Sequence, residues 1–334
     1  VDVWSNVDTF LLTWDKVVDN LSGIAEYTVN DVSNGTSTLW TETLLEADSQ
    51  FFEVRARDVA GNWCPDQPDF GPIRIDLTAP LVVSNFASSL PQNDWTNNPA
   101  FTATWTDGTD ALSGMKEYQF LLDGNQGTIA LGTESHSQTL SEGLHSLILK
   151  GVDIAGNDVE ETFGVYKVDL TNPDGPTNLR STTHTQDTWS PDTGFSLRWD
   201  AALDSGSTAS GIGEYTVNDA SNGLDLNWQG NLPEGDGQVF DVRARDVAGN
   251  WCDNTSTYGP VRVDLTNPII SSLSSTSHLE NVWSNSPDAN FSWVAGDLLG
   301  DGITPGAGIV GFEISLLGQS TPLGGSLSSF DIHS

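Results

Sequence analysis

Residues 50–64 read QFFEVRARDVAGNWC. Phe52, Val54 and Ala56 fall on one side of an alternating run, and Glu53, Arg55 and Arg57 on the other. A period of two is a β-strand with one face wet. The last eleven of these residues, VRARDVAGNWC (54–64), return unchanged at 242–252. Both copies end in one of the chain's two cysteines.

The duplication belongs to a wider period. D-[VI]-A-G-N occurs at Asp58–Asn62, Asp153–Asn157 and Asp246–Asn250. A second marker, D-L-T-[AN]-P, follows each at Asp76–Pro80, Asp169–Pro173 and Asp264–Pro268. Upstream stand Trp14, Trp105, Trp199 and Trp293, each followed by an aromatic residue at Tyr27, Tyr118, Tyr215 and Phe312. Earlier still comes Trp followed by Ser or Thr, at Trp4, Trp95, Trp189 and Trp283. The period is about 94 residues, so the chain divides into repeats over 1–80, 81–173, 174–268 and 269–334, the first lacking its opening and the fourth its end. Repeats one and three share EYTVND[VA]SNG, whereas two and four differ from them, which gives an A-B-A-B order.

Each repeat carries short alternating runs separated by Gly, Asn, Asp and Ser clusters, the spacing of an all-β sandwich. Phe240, Val242 and Ala244 repeat the pattern of Phe52, Val54 and Ala56; Leu147, Leu149 and Gly151 hold the same positions in repeat two. No segment sustains a 3.6-residue period, so helix is expected to be almost absent.

Composition narrows the function. Twelve Lys plus Arg stand against forty-six Asp plus Glu, a formal charge of −34. Such a surface cannot neutralise nucleic-acid phosphates and repels anionic membranes, but it attracts divalent cations. No apolar run is long enough to span a bilayer, so no membrane insertion is expected in this segment.

Together, the string W-S … D … S-G-I … D-x-A-G-N-W … G-P … D-x-T-x-P is similar to the tandem Ig-like and fibronectin type III-like repeats of large secreted bacterial proteins. The resemblance runs through the whole chain. It implies an all-β fold of tandem Ig-like/fibronectin III-like sandwiches in an extended array, with Trp14, Trp105, Trp199 and Trp293 as core anchors. Cys64 and Cys252 depart from the pattern. In such an array they would lie too far apart for the Cα separation of about 7 Å that a disulfide permits. Two half-buried thiols, or crosslinks to another chain, are the readings that remain.

The resemblance also places the loop after the core tryptophan, the D-[VI]-A-G-N turn and the preceding D-L-T-x-P linker at one pole of a sandwich. Hard oxygen ligands from three segments would then converge, as Ca2+ requires. The candidates are Asp76, Asp107, Asp110 and Asp153 at the first junction, and Asp169, Asp200, Asp204 and Asp246 at the second. Asp264 and Asp297 are those of the third. Against this stands the reading of the same acids as solvated turn residues, whose carboxylates bond their own backbone.

No G-x-S-x-G, H-E-x-x-H or Cys/His spacing points to catalysis. His184 and His278 hold matching repeat positions and are expected at the surface. Trp40, Trp63, Trp228 and Trp251 are either sugar-stacking platforms or caps on the core edge. The expectation is a non-catalytic extracellular or cell-surface region: a stalk, adhesin shaft or surface-fibre subunit with calcium-stiffened junctions. Its partners would be neighbouring copies or cell-surface and matrix components, with no nucleic acid among them. A self-assembling sheath or S-layer, and a glycan-binding accessory region of a secreted enzyme, are the alternatives.

Overall fold

A computed structural model describes residues 3–65, 69–81, 83–206, 208–316 and 319–332. Among them there is no helix, and every regular element is a β-strand. The chain divides into two compact units, Val1–Leu170 and Thr171–Ser334.

In the second unit, Thr177–Ser181, Gly194–Asp200 and Asn227–Asn231 form one sheet. The other has five strands, in the order Trp189–Ser190, Ser256–Val263, Gly235–Asp246, Ile212–Val217, Ala220–Ser221. The core lies between them. Phe195, Leu197 and Trp199 come from the first sheet; Tyr215, Val217, Phe240, Val242, Ala244, Val261 and Val263 come from the second. Antiparallel layers sharing one apolar interior are the two-layer sandwich that the resemblance implies.

In the first unit, the sheet Ser84–Ser88, Ala100–Thr106, Ser135–Thr139 accompanies a five-stranded sheet ordered Asn125–Ile129, Met115–Leu122, Gly143–Asp153, Asp158–Val168, Trp95–Thr96. The same unit holds a second five-stranded sheet, ordered Trp4–Ser5, Asp69–Ile75, Ala47–Asp58, Ile24–Val29, Val32–Ser33. Its partner layer among the described residues is the pair Thr9–Thr13 and Leu39–Thr43. The second unit ends with the sheet Ile269–Ser274, Ala289–Gly296, Ser329–Ile332 and the pair Gly311–Leu316, Gln319–Gly324.

The alternation read from sequence has a physical counterpart. Val242 and Ala244 are fully buried, while Arg243 and Arg245 turn outward and stack on the Trp251 indole at 4.8 and 5.3 Å. Arg55 and Arg57 do the same over Trp63, at 4.7 and 5.3 Å. The cations shield an aromatic surface that would otherwise meet water.

Each core tryptophan meets its following aromatic residue edge to face, the favoured geometry of two ring quadrupoles. The centroids are 5.6 Å apart for Trp14–Tyr27 and 6.2 Å for Trp105–Tyr118. They are 5.8 Å apart for Trp199–Tyr215 and 5.2 Å for Trp293–Phe312. Trp105, Trp199 and Trp293 are buried, whereas Trp14 is only half-buried.

The Trp-Ser/Thr marker has its own role. Trp4–Ser5, Trp95–Thr96 and Trp189–Ser190 are two-residue strands lying parallel to the last long strand of their sandwich. Trp283 instead stands fully exposed, and no strand of the described residues pairs with it.

Replacing Trp199 by Ala removes a buried indole and leaves a cavity, which costs about 3–5 kcal/mol. Trp283→Ala removes no packing and is expected to stay within about 0.5 kcal/mol of the parent. Denaturant midpoints of the two variants check this contrast.

Candidate metal centre

Three aspartates from separate segments meet in the first unit. Asp76 follows the strand Asp69–Ile75, and its N–H donates to Ser5 O at 3.0 Å, extending the parallel pairing of Trp4–Ser5. The side chain belongs to other contacts: Oδ2 accepts Ser113 N–H at 3.0 Å and Oδ1 accepts Thr78 N–H at 3.2 Å. Asp110 lies in the loop after Trp105. Its Oδ1 accepts the N–H groups of Gly114 at 2.7 Å and Leu112 at 3.1 Å. The Tyr118 hydroxyl, accepting Gly108 N–H, holds the start of that loop.

Asp153 opens the D-I-A-G-N turn. Its Oδ1 accepts Gly156 N–H at 2.6 Å and Asn157 N–H at 2.8 Å. The turn requires glycine, since Gly156 has φ +98°. Asn157 Nδ2 bonds Asp153 Oδ2 at 2.8 Å and reaches the main-chain oxygen of Asp76 at 2.8 Å. The turn of one sandwich is thereby fastened to the linker that leads into it.

One carboxylate oxygen from each of Asp76, Asp110 and Asp153 lies within 4.8 Å of the others. Asp76 and Asp153 are fully buried and Asp110 is half-buried. Oxygens that ligate one Ca2+ at about 2.3–2.6 Å lie no more than about 5.2 Å apart, so the spacing fits a shared ion. Carboxylates are hard ligands, and no His or Cys among the described residues joins the group. Carboxylates crowded this closely repel one another when ionised, and a cation among them would offset that repulsion.

In the second unit, Asp204 Oδ2 accepts Gly211 N–H at 2.7 Å, and Asp246 Oδ1 accepts Gly249 and Asn250 N–H at 2.6 and 2.7 Å. These repeat the arrangement of Asp110 and Asp153, again with oxygens within 4.8 Å of each other. Asp169 follows the strand Asp158–Val168 of the first unit. It is fully buried, and its N–H donates to Thr96 O at 3.0 Å, as Asp76 does to Ser5.

At Asp264 and Asp297 the arrangement recurs. Asp264 Oδ2 accepts Ala307 N–H at 2.6 Å and Asp297 Oδ2 accepts Gly308 N–H at 2.7 Å. A Cβ at Gly306 would lie 2.6 Å from Asp264 Oδ2 and 3.0 Å from Asp297 Oδ2, so only glycine fits there. Asp297 Oδ1 is buried and accepts no hydrogen bond among the described residues.

Two sequence candidates lie outside these groups. Asp107 turns to the Gly132 N–H at 2.9 Å, and Asp200 pairs with Arg180 at 2.9 Å and Asn178 at 2.7 Å. The sequence reading also passed over Asp19 and Asp58. Asp19 Oδ2 accepts Gly23 N–H at 2.8 Å and Asp58 Oδ1 accepts Asn62 N–H at 2.8 Å, in the same turns. The available signal was the offset from the core tryptophan: Asp19 follows Trp14 by the same five residues as Asp110 follows Trp105.

Two glutamates were missed entirely. Glu46 Oε1 accepts the Leu77 N–H at 2.7 Å and the Thr78 hydroxyl at 2.6 Å. Glu234 Oε1 takes the N–H groups of Leu265 and Thr266 at 2.9 Å, and its Oε2 takes Gly300 N–H at 2.8 Å. Each carboxylate clamps the linker that leaves its own sandwich.

Histidine positions correct one expectation. His184 is buried, not superficial: Nε2 contacts Asp192 O at 2.8 Å, Nδ1 contacts Thr183 Oγ1 at 3.0 Å, and its carbonyl accepts the Tyr258 hydroxyl. It closes the turn after the first strand. His278 is half-buried with Nε2 on Ser286 O at 3.1 Å. Trp228 packs half-buried against Phe195 and Phe240, and Trp40 against the core that holds Leu12 and Phe52. Cys252 is buried, its Sγ accepting Ala244 N–H at 3.3 Å; Cys64 is half-buried, with Ala56 N–H at 3.2 Å.

No protein-family model matches this chain, and no curated protein matches it. Solved structures do. Fibronectin(III)-like modules of Clostridium thermocellum CbhA share 14% identity over 53% of this chain and 94% of theirs, with a TM-score of 0.34. A Ca2+-stabilized adhesin that helps an Antarctic bacterium reach out and bind ice shares 15% over 92% of this chain and 80% of its own, at 0.39. A 1.5-MDa bacterial ice-binding adhesin shares 18% over 79% and 94%, at 0.37.

The Thr78 hydroxyl, and then the Leu77 N–H, hold the Glu46 carboxyl below its ordinary range. Thr266 and Leu265 do the same for Glu234. A depressed folded pKa means that this stabilisation is present above the ordinary glutamate range and is lost as pH falls through the depressed value. The melting-temperature gap between the parent and the Glu46→Gln, Glu234→Gln variant is therefore expected to hold from neutral pH down to the ordinary glutamate range and to narrow as pH falls below it. A thermal melt at each pH measures it.

Proposed function

We propose that this chain is a non-catalytic, extracellular or cell-surface repeat region whose successive sandwiches are stiffened by Ca2+ at their junctions. In this reading the repeats span 1–80, 81–173, 174–268 and 269–334, and the linkers D-L-T-x-P are the places where rigidity is set. The observation that carries it is the Asp76–Asp110–Asp153 group. Its ligands come from the linker, the loop after the core tryptophan and the D-I-A-G-N turn, so an ion held there ties all three together. In the sequence, Asp169, Asp204 and Asp246 hold the corresponding places of the next repeat, and Asp264 and Asp297 those of the one after.

Such a region acts by length and stiffness, and the role that fits is a stalk, adhesin shaft or fibre subunit that presents something else at a distance. The acidic surface keeps neighbouring copies apart until divalent cations are present. Cell-surface or matrix components are the partners that suit this role.

A ligand bound only by the folded state at about a hundred times its Kd adds about 2.7 kcal/mol. Millimolar Ca2+ is therefore expected to raise the melting temperature of the intact chain by several degrees, and EDTA to reverse the rise. Asp110→Asn and Asp153→Asn should each remove part of it. An unchanged melt at millimolar Ca2+ would refute the proposal.

A further inference from the structure

Six of the chain's eight arginines lie over an indole, that of Trp4, Trp63, Trp189 or Trp251. The other two, Arg180 and Arg198, stand directly opposite each other on the strands Thr177–Ser181 and Gly194–Asp200 of the third repeat. Residues paired in this way project on the same face, and like charges so placed destabilise a sheet. The corresponding pairs in other repeats are neutral. In the second, Ala87 stands opposite Thr104; in the fourth, Ser274 stands opposite Ser292, and the two hydroxyls bond at 2.9 Å. The third repeat thus carries two cations where folding is satisfied by small uncharged residues.

The two guanidinium groups are not equally engaged. Arg180 Nη1 donates to Asp200 Oδ1 at 2.9 Å and to Asn178 O at 2.8 Å, and Asn178 Nδ2 donates to Asp200 Oδ2 at 2.7 Å. The one carboxylate of this group is therefore already matched. Arg198 is exposed and makes no hydrogen bond or ion pair with any described residue, so its charge is the surplus. Charges more than about 8 Å apart are largely screened at physiological ionic strength, so the acids elsewhere on the chain do not cancel it.

Arg198 also separates two clefts on this face and lines both. One, of about 510 Å3, is bounded by Arg180, Leu226 and Asn227; the other, of about 570 Å3, by Thr182, Ser196, Gln229 and Asn231. Asn227, Gln229 and Asn231 alternate along one strand, opposite Arg198, Ser196 and Gly194, so their amides project in a row on the arginine face. All three are exposed, and their side chains bond no described residue. Each amide offers both a donor and an acceptor, as paired sugar hydroxyls require. The row repeats about every 7 Å, two residues of a strand.

We propose that this face of the third repeat binds a linear acidic polysaccharide. One carboxylate or sulfate of the sugar chain sits between Arg180 and Arg198, and hydroxyls on either side of it bond the row of Asn227, Gln229 and Asn231. A guanidinium holds either anion through paired N–H donors. The arginines select for charge and the amides for sugar. The site lies within one sandwich and needs no Ca2+, so its test stands apart from that of the junctions.

The test is calorimetric titration of the intact chain in EDTA with three probes: an oligogalacturonate for carboxylate, an oligomeric dextran sulfate for sulfate, and a neutral cello-oligosaccharide. At least one acidic probe is expected to bind, more weakly as NaCl rises, and the neutral one is not. Arg198→Gln should weaken that binding at least about tenfold, the loss of a charge-assisted hydrogen bond. Gln229→Ala should weaken it several-fold. Lys116→Gln, which removes the same charge from an exposed position of the second repeat, should leave it unchanged. Absence of binding by both acidic probes overturns the proposal, as does an Arg198→Gln variant that binds like the parent or no worse than Lys116→Gln. Equally tight binding of a poly-glutamate of the same length also overturns it, since the amides would then read no sugar.

Discussion

The edge-to-face contact between an indole and the aromatic ring that follows it is the interaction on which the rest depends. It joins the two layers of each sandwich, and in three of the four repeats it does more. Tyr27, Tyr118 and Tyr215 carry a hydroxyl that accepts a main-chain N–H, from Val17, Gly108 and Ala202 respectively. That bond anchors the loop leaving the tryptophan strand, and the loop carries Asp19, Asp110 or Asp204. A core contact therefore sets the position of a surface carboxylate. The fourth repeat has Phe312 at this place and cannot make the bond. There the loop is held instead by Asp264 and Asp297, through Ala307 and Gly308.

The acidic groups and the linkers are built as one device. Asp76 belongs by its main chain to the sheet it leaves and by its side chain to the sandwich it enters. Asn157 answers from the other side by reaching the Asp76 carbonyl. Glu46 fixes the two residues between them. The linker residues Asp76, Leu77 and Thr78 are thus bonded to the sandwiches on both sides, and an ion among the three carboxylates would tie the same segments again.

Much of this was legible in the sequence because it rests on periodicity. The alternation of Phe240, Val242 and Ala244 specifies a face, and a repeat of about 94 residues specifies how often the face returns. The pairing of Asp76, Asp110 and Asp153 was legible for a different reason: each stands at a fixed offset from a core or turn residue. Asp107 and Asp200 satisfied the same composition but not the same offset, and they bond elsewhere. Glu46 and Glu234 escaped because nothing local marks a glutamate that acts across the sheet on residues thirty-one positions later. His184 escaped because its surroundings are distant in sequence: Phe195 packs on its ring and the Tyr258 hydroxyl, seventy-four residues away, bonds its carbonyl.

The parallel pairing of Trp4–Ser5 with Arg74–Ile75 has a mechanical meaning. The chain enters this ribbon at one end and leaves it at the opposite end. Tension drawn along the polypeptide therefore shears the ribbon lengthwise and strains its hydrogen bonds together, where an antiparallel arrangement would peel them in turn. The Arg74 guanidinium lies over the Trp4 indole at 5.8 Å, a cation–π contact across the same two strands.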